Sequence, residues 1–194
     1  GARVRNPIDQ FVAEGLREAG FRQPPEARAS VFVRRVFLDL AGLPPTPDEL
    51  LDWTQRLGGD SAGELNDQAV SVLVDSLLNR PQYGERWGRH WLDLVRFAES
   101  NGYAFDKDRA SAFQYRDFVI RALNQDMPYD QFVRLQIAGD LLAKTGAKTN
   151  PAARGALDAV AATGFLVAGP FTTQQTQKER ERSRYEQLDD IVGT

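Results

Sequence analysis

The side chains with which this chain could do chemistry are concentrated in one stretch, Tyr83 to Arg109, YGERWGRHWLDLVRFAESNGYAFDKDR. Near its centre stands His90, the one histidine among 194 residues. Turning each residue by about 100° on a helix sets Trp87, Trp91, Leu94, Val95 and Ala98 on one arc. Arg86, Arg89, Asp93, Arg96 and Glu99 fall on the opposite side, and His90 sits at the border. An imidazole one turn from a carboxylate has its tautomer fixed and suits a general base. Through its free nitrogen the same imidazole suits a metal or a haem iron. The structural alternative packs His90 beside the tryptophans, hydrogen-bonded to Asp93 or to a backbone carbonyl.

Arginines and carboxylates gather around it. Arg86, Arg96, Arg109 and Arg116 form a candidate clamp for an anion or carboxylate, with Asp93, Glu99, Asp106 and Asp117 as counter-charges. The same residues also make an ordinary salt-bridge network where helices meet. Aromatic faces beside them, Trp91 and Tyr103, suit a sugar, and two carboxylates suit an acid and base for its hydrolysis. Asp106-Lys107-Asp108 resembles the start of a calcium loop. Counted from Asp106, however, the fifth position is Ala110 and the sixth Ser111, and only Asp117 at the twelfth fits an EF-hand. No metal is therefore expected. The sequence holds no G-x-S-x-G elbow, phosphate loop, H-E-x-x-H or dinucleotide fingerprint.

These residues must be positioned by helices. Apolar residues make up 42% and charged residues 26% of the chain, the mixture of a folded globular protein. A net charge of −3 gives no reason to expect nucleic acid as partner. Cysteine is absent, which excludes disulfides, zinc thiolates and a cysteine nucleophile within this sequence. No apolar run approaches the roughly 20 residues of a membrane span. Asn6-Pro7 and Thr46-Pro47 are helix starts, the latter with Glu49 placed for a capping box. Apolar residues at helical spacing predict further helices over Val31–Leu40, Val70–Leu78, about Gln82 to Glu99, and Phe113–Asn124. Another follows Pro128, with Phe132, Val133, Ile137 and Leu141 on its stripe. Ala152–Leu166 and a charged helix from near Lys178 complete the series. Residues 100–111 form a long irregular loop. The expectation is an all-α fold: a single domain over 1–194, an orthogonal or antiparallel multi-helix bundle of about eight or nine helices.

Five segments together resemble a known family: RRVFLDLAGLPPTPDE (34–49), RPQYGERWGRHWLDLVRFAESNGY (80–103), YRDFVIRALNQDMPYDQFVRLQIAGDLL (115–142), ATGFLVAGP (162–170) and RYEQLDDIVGT (184–194). They are similar, in the same order, to the Planctomycete-type cytochrome-associated family, the second domain of the PSCyt architecture, a domain of unknown function. His90, Asp93, Arg96, Glu99, Tyr103, Asp106, Arg109, Arg116, Asp117, Gln136 and Asp140 match its strongest polar positions. Glu99 stands where members often carry Asp.

The resemblance implies a fragment of a large exported protein, periplasmic or otherwise extracytoplasmic. An adjacent cytochrome c-like domain and a C-terminal domain of the same polypeptide would be its partners. It also implies a C-x-x-C-H haem attachment motif soon after Thr194, so haem c is expected in the full-length protein and no cofactor within these residues. Two functions follow as expectations. One is a scaffold or haem-pocket-forming part of an electron-transfer assembly. The other is a domain binding or hydrolysing a polysaccharide or anionic ligand through its carboxylate, arginine and aromatic cluster.

Overall fold

The computed structural model describes residues 4, 6–61, 64–102, 106–146, 153–169 and 176–193. Among them are nine α-helices: α1 (Pro7–Glu18), α2 (Ala29–Leu40), α3 (Pro47–Arg56), α4 (Asp67–Leu78), α5 (Pro81–Leu94), α6 (Phe113–Asn124), α7 (Tyr129–Gly146), α8 (Ala153–Ala162) and α9 (Gln177–Gly193). A 3-10 turn, Thr163–Val167, follows α8. The described residues contain no strand beyond one antiparallel bridge between Ser100 and Asp108. The fold is all-α, as the periodicity predicts. No described helix is long and apolar enough to cross a membrane.

Capping explains several helix starts. Thr46 accepts from the Glu49 N–H at 3.3 Å while the Glu49 carboxylate accepts from the Thr46 N–H at 2.9 Å, the reciprocal box read from the sequence. Asn6 and Asp9 do the same for α1, at 3.0 and 3.1 Å. The helix α1 forms but buries none of its residues; Ile8, Phe11 and Val12 stay exposed.

The described chain divides into two compact units, residues 1–37 with 44–74, and residues 38–43 with 75–194, the boundaries falling inside α2 and α4. The first is centred on Ala29, Val33 and Phe37 from α2, Trp53 and Leu57 from the α3 region, and Leu73 of α4, all buried. The second holds every residue of the Tyr83–Arg109 segment. Its core is Leu92, Val95, Tyr115, Phe118, Val119, Ala122, Phe132, Ala162 and Ala168.

Two expectations are corrected in the second unit. The helix α5 ends at Leu94, not near Glu99. Arg96 takes the left-handed conformation at φ 54°, its N–H bonded to the Asp93 carbonyl and the next N–H, of Phe97, to the Leu92 carbonyl. This is a Schellman stop built on an arginine, so no glycine announced it. The face α5 buries is also not centred on the tryptophan arc: Gly84, Gly88 and Leu92 are buried, while Leu94 is exposed. Glycine is required there. A Cβ on Gly84 would run into the Ile120 carbonyl and lie 2.7 Å from Asn124 atoms of α6. The Asn124 amide completes the junction, accepting from the Gly84 N–H at 2.8 Å and donating to the Pro81 carbonyl at 3.0 Å.

The second correction concerns α7. Phe132 is buried as predicted, but its next buried partner is Gln136, 2% exposed, while Ile137 and Leu141 are 59% and 58% exposed. Ala138, at φ −141° and ψ 25°, kinks the helix beside Gly139, whose missing Cβ lets the Ala159 backbone of α8 approach. A kink changes which residues face inward, so one stripe cannot describe both halves.

Gly84→Ala should lower stability by about 1–3 kcal/mol through forced separation of α5 and α6. Gly155→Ala, on exposed α8 surface with nothing near its Cβ, should instead raise it by about 0.5–1 kcal/mol. Chemical denaturation of both variants checks the contrast.

Candidate functional site

Three helices of the second unit are tied at their centre by polar side chains. The Tyr115 hydroxyl of α6 donates to Gln136 Oε1 of α7 at 2.6 Å. The indole N–H of Trp91, on α5, is shared between Gln136 Oε1 at 3.1 Å and Tyr115 Oη at 3.0 Å. Gln136 Nε2 donates in turn to the Phe132 carbonyl at 3.2 Å. Buried polar groups are tolerated only when satisfied, and here each finds a partner. Rings close around the set: Phe132 meets Trp91 edge-on at 4.9 Å and stacks on Phe118 at 5.7 Å. Burial pushes the Tyr115 hydroxyl well above its ordinary range, against the opposing pull of the Trp91 N–H, so it stays protonated.

From this centre the chain leaves α5 and loops back to α6. The bridge between Ser100 and Asp108 narrows the loop. The Asp106 carboxylate accepts from the Ser100 hydroxyl at 3.1 Å and the Gly102 N–H at 2.7 Å, a local turn-forming role. Arg109 then fastens the loop to the end of the 3-10 turn. Its Nε donates to Asn101 Oδ1 at 2.7 Å, Nη1 to the carbonyls of Val167 and Ala168 at 3.0 and 3.1 Å, and Nη2 to that of Gly169 at 2.8 Å. No carboxylate pairs with Arg109 among the described residues.

Beside this clamp opens a cavity of about 850 Å³, walled in part by Asn101, Arg109, Tyr115, Asp140, Thr163 and Gln187. Asp140 also pairs with Lys144 at 3.6 Å. The other predicted residues lie elsewhere. Arg116 is matched by Glu99 and Asp117, an ion-pair set that closes on itself. Arg86 lays its stem along Gly42. Asp93 is exposed, and Arg96 forms the helix stop. Tyr103 lies outside the described residues. His90 is exposed and packs its ring on Trp87, 5.3 Å between centroids, with no hydrogen bond to Asp93 among the described residues. It lines a different cleft, of about 280 Å³, with Tyr83, Trp87 and Trp91.

The candidate residues therefore divide instead of converging. Arg109 and Asp140 share the larger cavity, His90 the smaller, and Glu99, Arg116 and Asp117 satisfy one another. Among the described residues no group of three or more His, Cys, Asp or Glu side chains could hold a metal. The donor set of the larger cavity does not fit haem either. The larger cavity has the room of a cofactor site, about 300–1,000 Å³, but its wall carries neither imidazole nor thioether. His90 and Met127, an imidazole and a thioether, both line the smaller cleft, but its volume of about 280 Å³ falls below that range. Periodicity missed Trp91, Tyr115, Asn101 and Asn124 as polar partners, because their hydrogen bonds span long sequence separations and leave no local signal.

Fold and site together define an all-helical chain whose second unit has a satisfied polar centre beside two cavities, with no assembled catalytic constellation among the described residues. The chain belongs to the PSCyt2 family, described as a protein of unknown function (DUF1549), whose profile matches residues 7–194. The five segments quoted above all lie within the matched residues. No curated protein and no solved structure matches the chain significantly.

Gln136→Leu should cost about 1–3 kcal/mol, since it strands the Trp91 and Tyr115 donors inside the core. The raised Tyr115 value has its own signature. Its contribution is complete below pH 10.0, where the unfolded phenol keeps its proton. It falls as pH rises further, because the unfolded chain deprotonates first. Denaturation across alkaline pH should show this loss, and Tyr115→Phe should flatten it.

Proposed function

We propose that this domain is the helical scaffold of an extracytoplasmic, cytochrome c-associated protein. It holds an adjacent cytochrome c-like domain and a C-terminal domain of the same polypeptide in fixed relation, and haem c is carried by residues outside this chain. Electron transfer belongs to that haem, and this chain's part is to stay rigid. One observation carries the reading: the arginines best placed to receive a ligand are already engaged internally. Arg109 spends its donors on Asn101 and the carbonyls of residues 167–169, and Arg116 on Glu99 and Asp117. The wall of the larger cavity, which offers no haem ligand, agrees with this division of labour.

A second reading is favoured by a specific feature. Arg109 keeps its positive charge uncompensated at the wall of the 850 Å³ cavity, which suits a carboxylate-bearing ligand such as an acidic sugar. Hydrolysis has less support, because among the described residues Asp140 is the one carboxylate on that wall and glycoside cleavage uses two.

One comparison separates them. Under the scaffold reading Arg109→Gln lowers the melting temperature by at least about 5 °C, and uronic acids shift neither wild type nor variant. A saturable rise with galacturonate that disappears in Arg109→Gln would replace the scaffold by the binding reading. In the full-length protein with haem attached, His90→Ala should leave the visible spectrum unchanged. Loss of a low-spin signature would make His90 an axial ligand and end the proposed division.

A further inference from the structure

We infer that the cleft beside His90 binds a small quaternary ammonium group, a site independent of the scaffold reading and separate from the Arg109 cavity. The cleft, about 280 Å³, opens where one face of α5 meets the α6–α7 turn and the start of α7. Tyr83, Trp87 and His90 follow one another along α5. Tyr83 and Trp87 are 6.2 Å apart and tilted by 39°; Trp87 and His90 are 5.3 Å apart and tilted by 60°. Rings tilted this way do not cover one another's faces, so π surface remains open to the cleft. Trp87 is 37% exposed and Tyr129, across the opening, 70% exposed. The floor is apolar, with Phe132 and Leu123 among its residues.

One carboxylate is set on this aromatic wall. Asp126 occupies the left-handed position that ends α6, at φ 48°. Its N–H bonds to the Leu123 carbonyl at 3.1 Å and the Met127 N–H to the Ala122 carbonyl at 2.9 Å, so the backbone that carries it is fixed. The Asp126 side chain accepts no hydrogen bond and pairs with no cation among the described residues. Among the described residues no lysine or arginine lines the cleft. The negative end of α6 and the positive end of α7 meet here and offset each other, which leaves the carboxylate to set the sign of the field.

The rings and the single carboxylate together select the ligand. A metal ion or primary ammonium keeps its water unless several oxygens replace it, and one carboxylate is too few. A neutral sugar would leave the Asp126 charge unanswered. A quaternary ammonium holds its hydration loosely, lays its methyl groups on the rings and is attracted both by their π faces and by Asp126. Free choline-like solutes and phosphocholine headgroups share this chemistry.

Tryptophan fluorescence during titration with choline chloride tests the inference, since Trp87 and Trp91 line the cleft. Dimethylbutanol, the uncharged carbon isostere, serves as the control. Choline should give a saturable change, and the isostere should bind at least about tenfold more weakly. Asp126→Asn, which keeps a residue at ease in the left-handed turn, should weaken choline about fivefold or more with an unchanged melting temperature. Trp87→Leu should weaken it likewise. Co-sedimentation with phosphatidylcholine vesicles would identify the headgroup as the source, and choline binding without it a soluble ligand. Equal binding of choline and its isostere, no saturation by either, or an Asp126→Asn variant that binds choline as well as wild type would overturn the proposal.

Discussion

The hydrogen bonds among Trp91, Tyr115 and Gln136 are the constraint from which the second unit takes its shape. Apolar contacts alone let helices slide and rotate at modest cost, because dispersion and burial are not directional. A buried amide is directional. Gln136 Oε1 receives two donors from two other helices, at 2.6 and 3.1 Å, and moving any one of the three strands a polar group in the core. The register of α5, α6 and α7 is thereby fixed at one height. Gly84 then lets α5 come close to α6, and Gly139 separately lets α8 approach α7.

Both cavities are consequences of the same arrangement. Tyr115 contributes to the wall of the larger one and Trp91 to that of the smaller, so the polar centre is the partition between them. Each recess also owes its form to a helix end. The stop at Arg96 throws the chain outward into the loop that Arg109 fastens. The stop at Asp126 turns the chain under the ring row of α5. Neither uses glycine, and in each a charged residue takes the strained position.

The sequence disclosed what is local. Thr46, Pro47 and Glu49 write out a helix start within four residues, and the bounds of α6 follow from its own apolar spacing. The end of α5 was hidden because a left-handed arginine carries no compositional mark. The inward face of α5 was hidden because Gly84 and Gly88 read as weak helix formers; their value lies in what α6 brings against them. Gln136 escaped the periodicity reading since an amide has no place in an apolar stripe, although the family resemblance picked it out as a recurrent polar position. His90 and Asp93 looked like partners on a helical projection. Such a projection gives angular position only, and the imidazole turned instead to the Trp87 ring. The proximity of Asp126 to that row of rings depends on how α6 and α5 cross, which no single segment encodes.

The manner in which Arg109 is held has a further consequence. Its partners are an amide and three peptide carbonyls, none of which takes up a proton under conditions a folded protein endures. Ion pairs that rest on a carboxylate weaken as the medium turns acid. This fastening does not, so the attachment of the loop to the 3-10 turn is insulated from acidification, while the turn inside the loop, which rests on the Asp106 carboxylate, is not.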